Sequence, residues 1–212
     1  MTYVKICGIT NVEDAQVAAA AGADLLGFIF VPKTPRYIEP EHARAIVTKL
    51  RARSDAPKFV GVFVNASLED VRAVLEFVDF AQLHGSESPA IVGELSPRVY
   101  KALRPRDENE ARAGMEDYRA AVSGNTPAFI VDAFDAHKFG GTGIRADWQI
   151  AAQVARAFPI LLAGGLNATN VADAIRVVQP WGVDVSSGVE RAPGLKDREK
   201  VREFIRKVKR EA

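Results

Sequence analysis

The chain has 212 residues, 28 Lys+Arg against 27 Asp+Glu for a formal net charge of +1, and a single cysteine. One cysteine excludes an internal disulfide framework and a multi-cysteine zinc site. The balanced charge speaks against a nucleic-acid binder working through an overall positive field. Hydrophobic and charged fractions of 48% and 26% are those of a globular chain, not a disordered one.

In chain order, short apolar runs alternate with amphipathic segments. The strand candidates are Val4-Lys5-Ile6, Asp24 to Phe30, Phe59 to Val64, Phe80 to Leu83, Val99 to Leu103, Phe129 to Asp132, Ile160 to Ala163 and Val183 to Ser186. Several are apolar almost throughout, as parallel strands covered on both faces require.

Helical signals fill the gaps. Thr10-Asn11-Val12-Glu13 reads as a capping box, with Gly22 ending an alanine-rich helix. Ala43, Ile46, Val47 and Leu50 repeat at helical spacing, and Pro40 suits a first turn. Leu68, Val71, Leu75 and Val78 form a second stripe with Ser67 as its cap. Val201, Phe204, Ile205 and Val208 form another near the C-terminus, and Asn167 is expected to cap the seventh helix. The segment from Arg106 to Ser123 carries only a thin apolar stripe.

Eight β-then-α units in 212 residues leave about 26 residues each, enough for a right-handed crossover. The expected fold is α/β, a single (β/α)8 TIM barrel of minimal length over residues 1–212. An open doubly wound sheet competes, but Cys7-Gly8-Ile9-Thr10 lacks the glycine pattern of a dinucleotide turn. The N-terminal residues lack a basic region followed by a long apolar run, and no apolar stretch approaches the ~20 residues of a membrane helix. A soluble, cytoplasmic protein with no membrane or nucleic-acid partner is expected.

In such a barrel, chemistry sits where strands end. That rule selects Cys7, the loop Pro32-Lys33-Thr34-Pro35-Arg36, His84, Asp132, Gly164-Gly165 and Ser186-Ser187-Gly188. Two glycine turns after the last two strands can present backbone N–H groups to an anion, the second ahead of a short extra helix, or can simply reverse the chain. Phosphate is the favoured ligand, because phosphate sites recur there in this fold. Gly140-Gly141-Thr142-Gly143 is a third glycine loop, a lid or a further wall.

Cys7 is either a small buried hydrophobe or, near a helix start, a thiolate able to take a proton from carbon. Asp132 is either a surface carboxylate or a partly buried general acid, with Asp135 as its rival. His84 is a structural histidine or a site residue. Arg36 is a solvated charge or a holder of a substrate carboxylate. His42 and His137 show no metal-ligand spacing with each other or with Cys7, so no metal is expected.

Together these stretches resemble the phosphoribosylanthranilate isomerases. The resemblance runs through Lys5-Ile6-Cys7-Gly8-Ile9-Thr10, Thr34-Pro35-Arg36-Tyr37-Ile38, Gln82-Leu83-His84-Gly85, the glycine loop with Asp147-Trp148, Leu162-Ala163-Gly164-Gly165-Leu166, Val185 to Glu190 and Pro193 to Asp197. Thr34 stands where Ser is commoner. The resemblance implies an Amadori rearrangement of N-(5-phosphoribosyl)anthranilate in tryptophan biosynthesis, without cofactor. It implies Asp132 as general acid and Cys7 as general base, and a phosphorylated aminosugar as the small-molecule partner. The implied binding set is Arg36 for the anthranilate carboxylate, with His84, Gly141, Gly143, Gly164, Gly165, Ser186, Ser187 and Gly188. A monomer or homodimer fits the family. Related barrels that close an indole ring or isomerise a histidine-pathway aminoaldose, and a non-catalytic phospholigand binder, are the competing readings.

Overall fold

A computed structural model describes residues 1–132 and 144–211. Eight parallel strands close into a barrel: β1 (Tyr3–Cys7), β2 (Leu25–Ile29), β3 (Lys58–Phe63), β4 (Phe80–Leu83), β5 (Val99–Leu103), β6 (Phe129–Asp132), β7 (Ile160–Ala163) and β8 (Gly182–Val185). Closure runs through β1 against β8, with Val4 opposite Val183 and Lys5 opposite Asp184. The helices are α1 (Val12–Ala20), α2 (Pro40–Arg51), α3 (Leu68–Leu75), α4 (Pro89–Leu95), α5 (Glu108–Tyr118), α6 (Ile144–Ala157), α7 (Val171–Val178) and α8 (Arg198–Arg210).

Side chains alternate across each strand, so the barrel has two separate apolar clusters. The larger lies between strands and helices and includes Val4 and Ile6 of β1, Phe129 and Val131 of β6, and Val183 and Val185 of β8. The smaller lies inside the barrel and includes Cys7, Leu25, Val60, Tyr100, Ile130 and Leu161. Polar residues at inward positions, Lys5, Gln82 and Asp184, are also buried.

Local chemistry explains the helix starts. Ser67 accepts from the Asp70 N–H at 3.1 Å, as its position predicts, and Asp107 caps α5 by accepting from Glu110 N–H at 2.8 Å. α5 buries only Ala111, in keeping with its thin stripe.

Three expectations need correction. The capping box lies one residue later than Thr10. Asn11 is the cap, its Oδ1 accepting from Asp14 N–H while its Nδ2 donates back to Asp14 Oδ2, both at 2.8 Å. Asn167 does not cap α7. Its Oδ1 accepts from the Thr169 N–H and its own N–H donates to Asn170 Oδ1, so it shapes the turn that precedes the helix. After β8 the short extra helix is a single 3-10 turn, Ser187–Val189, which leads into an antiparallel hairpin of β9 (Glu190–Ala192) and β10 (Leu195–Lys196). Gly194 turns this hairpin with φ +80°, and a Cβ there would sit 2.4 Å from the Pro35 carbonyl. The Thr10 hydroxyl donates to the Gly194 carbonyl at 2.6 Å. The hairpin thereby ties the ends of β1, β2 and β8 together.

Candidate active site

The C-terminal ends of the strands surround a cavity of about 350 Å³. Cys7, Arg36, His84 and Asp132 line it, together with the turns Gly164–Gly165 and Ser186–Gly188. Strand-end position, read from sequence, therefore brings these residues to one place. Gly141 and Gly143 lie outside the described residues, as do Asp135 and His137.

Cys7 is the last residue of β1, not a loop residue, and only 5% of it is exposed. Its neighbour across the sheet is Gly27. A Cβ on Gly27 would lie 2.9 Å from Cys7 Sγ and 3.1 Å from Lys5 Cε, so the missing side chain makes room for both. Burial pushes the Cys7 thiol up, and the nearby Lys5 ammonium opposes that rise.

Lys5 itself is fully buried. Burial alone would lower its affinity for a proton, but the Asp184 carboxylate, together with the Cys7 and Tyr100 side chains, reverses this and the ammonium form is favoured. Lys5 Nζ donates to Asp184 Oδ1 at 2.8 Å and to Gln82 Oε1 at 2.9 Å. The buried Tyr100 hydroxyl donates to the same Gln82 oxygen at 3.1 Å. Gln82 Nε2 lies 2.8 Å from His84 Nδ1, and His84 Nε2 lies 3.7 Å from Asp132 Oδ2. Asp132 ends β6 with its side chain 35% exposed, open to the cavity yet backed by His84.

The loop after β2 supplies Arg36. Its Nε and Nη2 donate to the two carboxylate oxygens of Glu190 at 2.8 and 2.6 Å. That occupies the side-on edge of the guanidinium and leaves the end-on edge for a ligand, in place of a freely solvated charge. Lys196 Nζ donates to Glu190 at 2.9 Å from β10. Burial would raise the Glu190 carboxyl, but the two cations hold it below its ordinary range.

Both glycine turns open onto the same cavity. Gly164 and Gly165 have φ values of +91° and +63°, a left-handed pair that turns the backbone sharply after β7. At Gly188 a Cβ would lie 1.9 Å from the Leu166 carbonyl oxygen, so the two turns pack backbone against backbone. Ser186 Oγ is buried at the cavity wall and, among the described residues, is the one buried side-chain oxygen or nitrogen without a hydrogen-bond partner.

Sequence reasoning missed Lys5, Gln82, Tyr100 and Asp184 as parts of the site, and Glu190 and Lys196 as the supports of Arg36. A signal was available for the first group. Lys5 lies between Val4 and Ile6, and Asp184 between Val183 and Val185. Opposite charges at inward positions of strands that must meet on closure point to a buried pair. Among the described residues, no group of three His, Cys, Asp or Glu side chains could hold a metal ion.

The family model described as N-(5'phosphoribosyl)anthranilate (PRA) isomerase matches residues 4–207. The chain belongs to the phosphoribosylanthranilate isomerase family. The chain is 47% identical to N-(5'-phosphoribosyl)anthranilate isomerase of Geobacter sp. strain M21 over 215 aligned positions, covering 99% of both. It is 48% identical to the enzyme of the same name from Geotalea uraniireducens, again with 99% of each chain covered. Among solved structures, phosphoribosyl anthranilate isomerase from Thermotoga maritima superposes with a TM-score of 0.85 at 38% identity, covering 99% of each chain. An isomerase structure in complex with reduced 1-(o-carboxyphenylamino)-1-deoxyribulose 5-phosphate superposes with a TM-score of 0.83 at 37% identity and the same coverage.

Proposed function

We infer that the chain is an isomerase performing the Amadori rearrangement of N-(5'-phosphoribosyl)anthranilate to 1-(2-carboxyphenylamino)-1-deoxyribulose 5-phosphate in tryptophan biosynthesis. One observation supports the assignment of roles above all others. A single cavity holds a cysteine and an aspartate at strand ends, an oriented arginine, and two glycine turns. Its volume suits a ligand of this size.

In this reading the turns Gly164–Gly165 and Ser186–Gly188 hold the phosphate, with Ser186 Oγ supplying a donor that has no protein partner. Arg36 holds the anthranilate carboxylate by its end-on edge. Asp132 gives a proton to the furanose ring oxygen. The C1–O bond breaks as the anthranilate nitrogen lone pair forms a C=N bond, giving an open-chain Schiff base. Cys7, as thiolate, then removes the proton from C2. The electron pair flows toward the iminium nitrogen, and the enolamine tautomerises to the ketone. Atoms balance without an added reactant. His84 lines the same cavity within reach of the substrate and also backs Asp132.

Cys7→Ala and Asp132→Asn test the roles. Each is expected to lower kcat by ~10²–10⁴-fold while the circular dichroism of the barrel is retained. Turnover like that of the unaltered chain in either variant overturns the role given to that residue. Restoring growth of a tryptophan auxotroph tests the reaction itself. A cytoplasmic location and a monomeric or homodimeric state complete the proposal. One Thermotoga maritima relative is described as dimeric.

A further inference from the structure

The inside of the barrel contains a run of polar side chains that the reaction does not consume. It starts at Lys5, beneath Cys7, and ends at Asp132. Gln82 is its middle member, 2% exposed, with each end of its carboxamide hydrogen-bonded.

The donor and acceptor inventory decides how this run is polarised. The ammonium of Lys5 has donors only, so the atom of Gln82 that faces it at 2.9 Å must be the oxygen. The Tyr100 hydroxyl at 3.1 Å donates to that same oxygen. The amide orientation is therefore settled by chemistry. The NH2 group must face His84, 2.8 Å from Nδ1. An N–H donor at that distance requires a lone pair on Nδ1. A neutral imidazole then carries its proton on Nε2, the nitrogen that faces Asp132 Oδ2 at 3.7 Å.

We propose that Gln82 is a positioning residue that fixes the tautomer of His84, so that Nε2–H is aimed at Asp132. The functional consequence rests on Asp132 being the acid. Once Asp132 has given its proton to the ring oxygen it is an anion with one face toward His84. The Nε2–H tautomer offers that anion a donor, whereas the Nδ1–H tautomer would offer it a lone pair. Lys5 thus has two effects: its charge opposes the rise of the Cys7 thiol, and its donation to Gln82 sets the proton on an imidazole across the barrel. Base and acid share one polar scaffold.

The test is nitrogen NMR of the full chain with ¹⁵N-labelled histidine at a pH where the imidazole is neutral. The signal of His84 is identified by its loss in His84→Asn, since the chain has only three histidines. The expected spectrum shows His84 protonated on Nε2. A proton on Nδ1 overturns the proposal, and this needs no variant of Gln82. Gln82→Met keeps the side-chain length and removes both polar atoms. It is expected to give a mixture of tautomers and to lower kcat by about 10- to 100-fold, with KM changed less than about twofold. An unchanged tautomer in Gln82→Met, or a changed tautomer with unchanged kcat, overturns the positioning role. If Asp132→Asn retains full turnover while His84 is protonated on Nε2, the acid assignment falls and the Gln82–His84 geometry stands.

Discussion

Arg36 and Glu190, 154 positions apart in sequence, form a two-point ion pair at the mouth of the barrel, with N–O distances of 2.8 and 2.6 Å. The pair is not a simple surface bridge. The Arg36 side chain is 24% exposed and that of Glu190 only 5%. Glu190 is thus a fixed anchor that takes one edge of the guanidinium of Arg36, a residue of the cavity wall.

If Arg36 holds the substrate carboxylate as proposed, Glu190 governs substrate binding through Arg36. Glu190→Gln keeps the shape but removes the charge that holds Arg36. KM for the aminosugar is expected to rise by about tenfold, the equivalent of ~1.4 kcal/mol, with a smaller change in kcat. Steady-state kinetics check this split. A fall in kcat with KM unchanged would show that Glu190 acts on the chemical step and not on the carboxylate holder.

The environment of Cys7 predicts an alkaline pH dependence. Burial pushes the thiol above its ordinary range, so kcat/KM is expected to keep climbing with pH through and beyond the range where an ordinary thiol ionises. Lys5→Met combined with Asp184→Asn removes a buried pair together and leaves no unpaired charge behind. The Lys5 ammonium lowers the thiol more than the Asp184 carboxylate raises it. Losing both therefore moves the alkaline midpoint upward. At neutral pH kcat/KM falls, by about tenfold if the thiol moves by one pH unit. A midpoint that stays in place or moves down would separate Cys7 from this pair.

The contact between the two glycine turns predicts a defect in phosphate binding. Ala at position 188 would place Cβ 1.9 Å from the Leu166 carbonyl oxygen, so the backbone of one turn must shift. Gly188→Ala is expected to raise KM by about tenfold or more and to weaken inhibition by inorganic phosphate in parallel. Gly93→Ala serves as the control. Gly93 lies in α4, and a Cβ there meets only the Ala121 Cβ from the segment after α5, at 4.0 Å, so activity should hold while stability rises by about 1 kcal/mol. Unchanged phosphate inhibition in Gly188→Ala would remove the second turn from the phosphate site.

Much of the architecture is legible from residue patterns. β4, β5, β6 and β7 begin and end where the sequence runs do, because strands covered on both faces are mostly apolar, even with Gln82 in β4, Lys101 in β5 and Asp132 at the end of β6. Cys7, Arg36, His84 and Asp132 meet because the fold sends every strand end to one rim. The hairpin of β9 and β10 is not legible. Its strands have three and two residues, carry charges, and are held by Pro35 and Thr10 from distant loops. The ion pair of Arg36 with Glu190 is hidden for the same reason, since nothing local marks either residue as the other's partner. The shift of the α1 cap from Thr10 to Asn11 reflects two adjacent side chains that can both cap, of which only one is free. The Thr10 hydroxyl donates to Gly194 instead.

The division of the interior into two apolar clusters has a consequence for how such a protein can change. The outer cluster, between strands and helices, holds most of the buried hydrocarbon. The inner one is smaller and shares its space with Lys5, Gln82 and Asp184. Residues on the inner face of a strand can be replaced while the outer face keeps its packing, because alternate positions answer to different neighbours. The scaffold and the reaction are written on alternate letters of the same strands, and a new chemistry can be entered on one set without erasing the other.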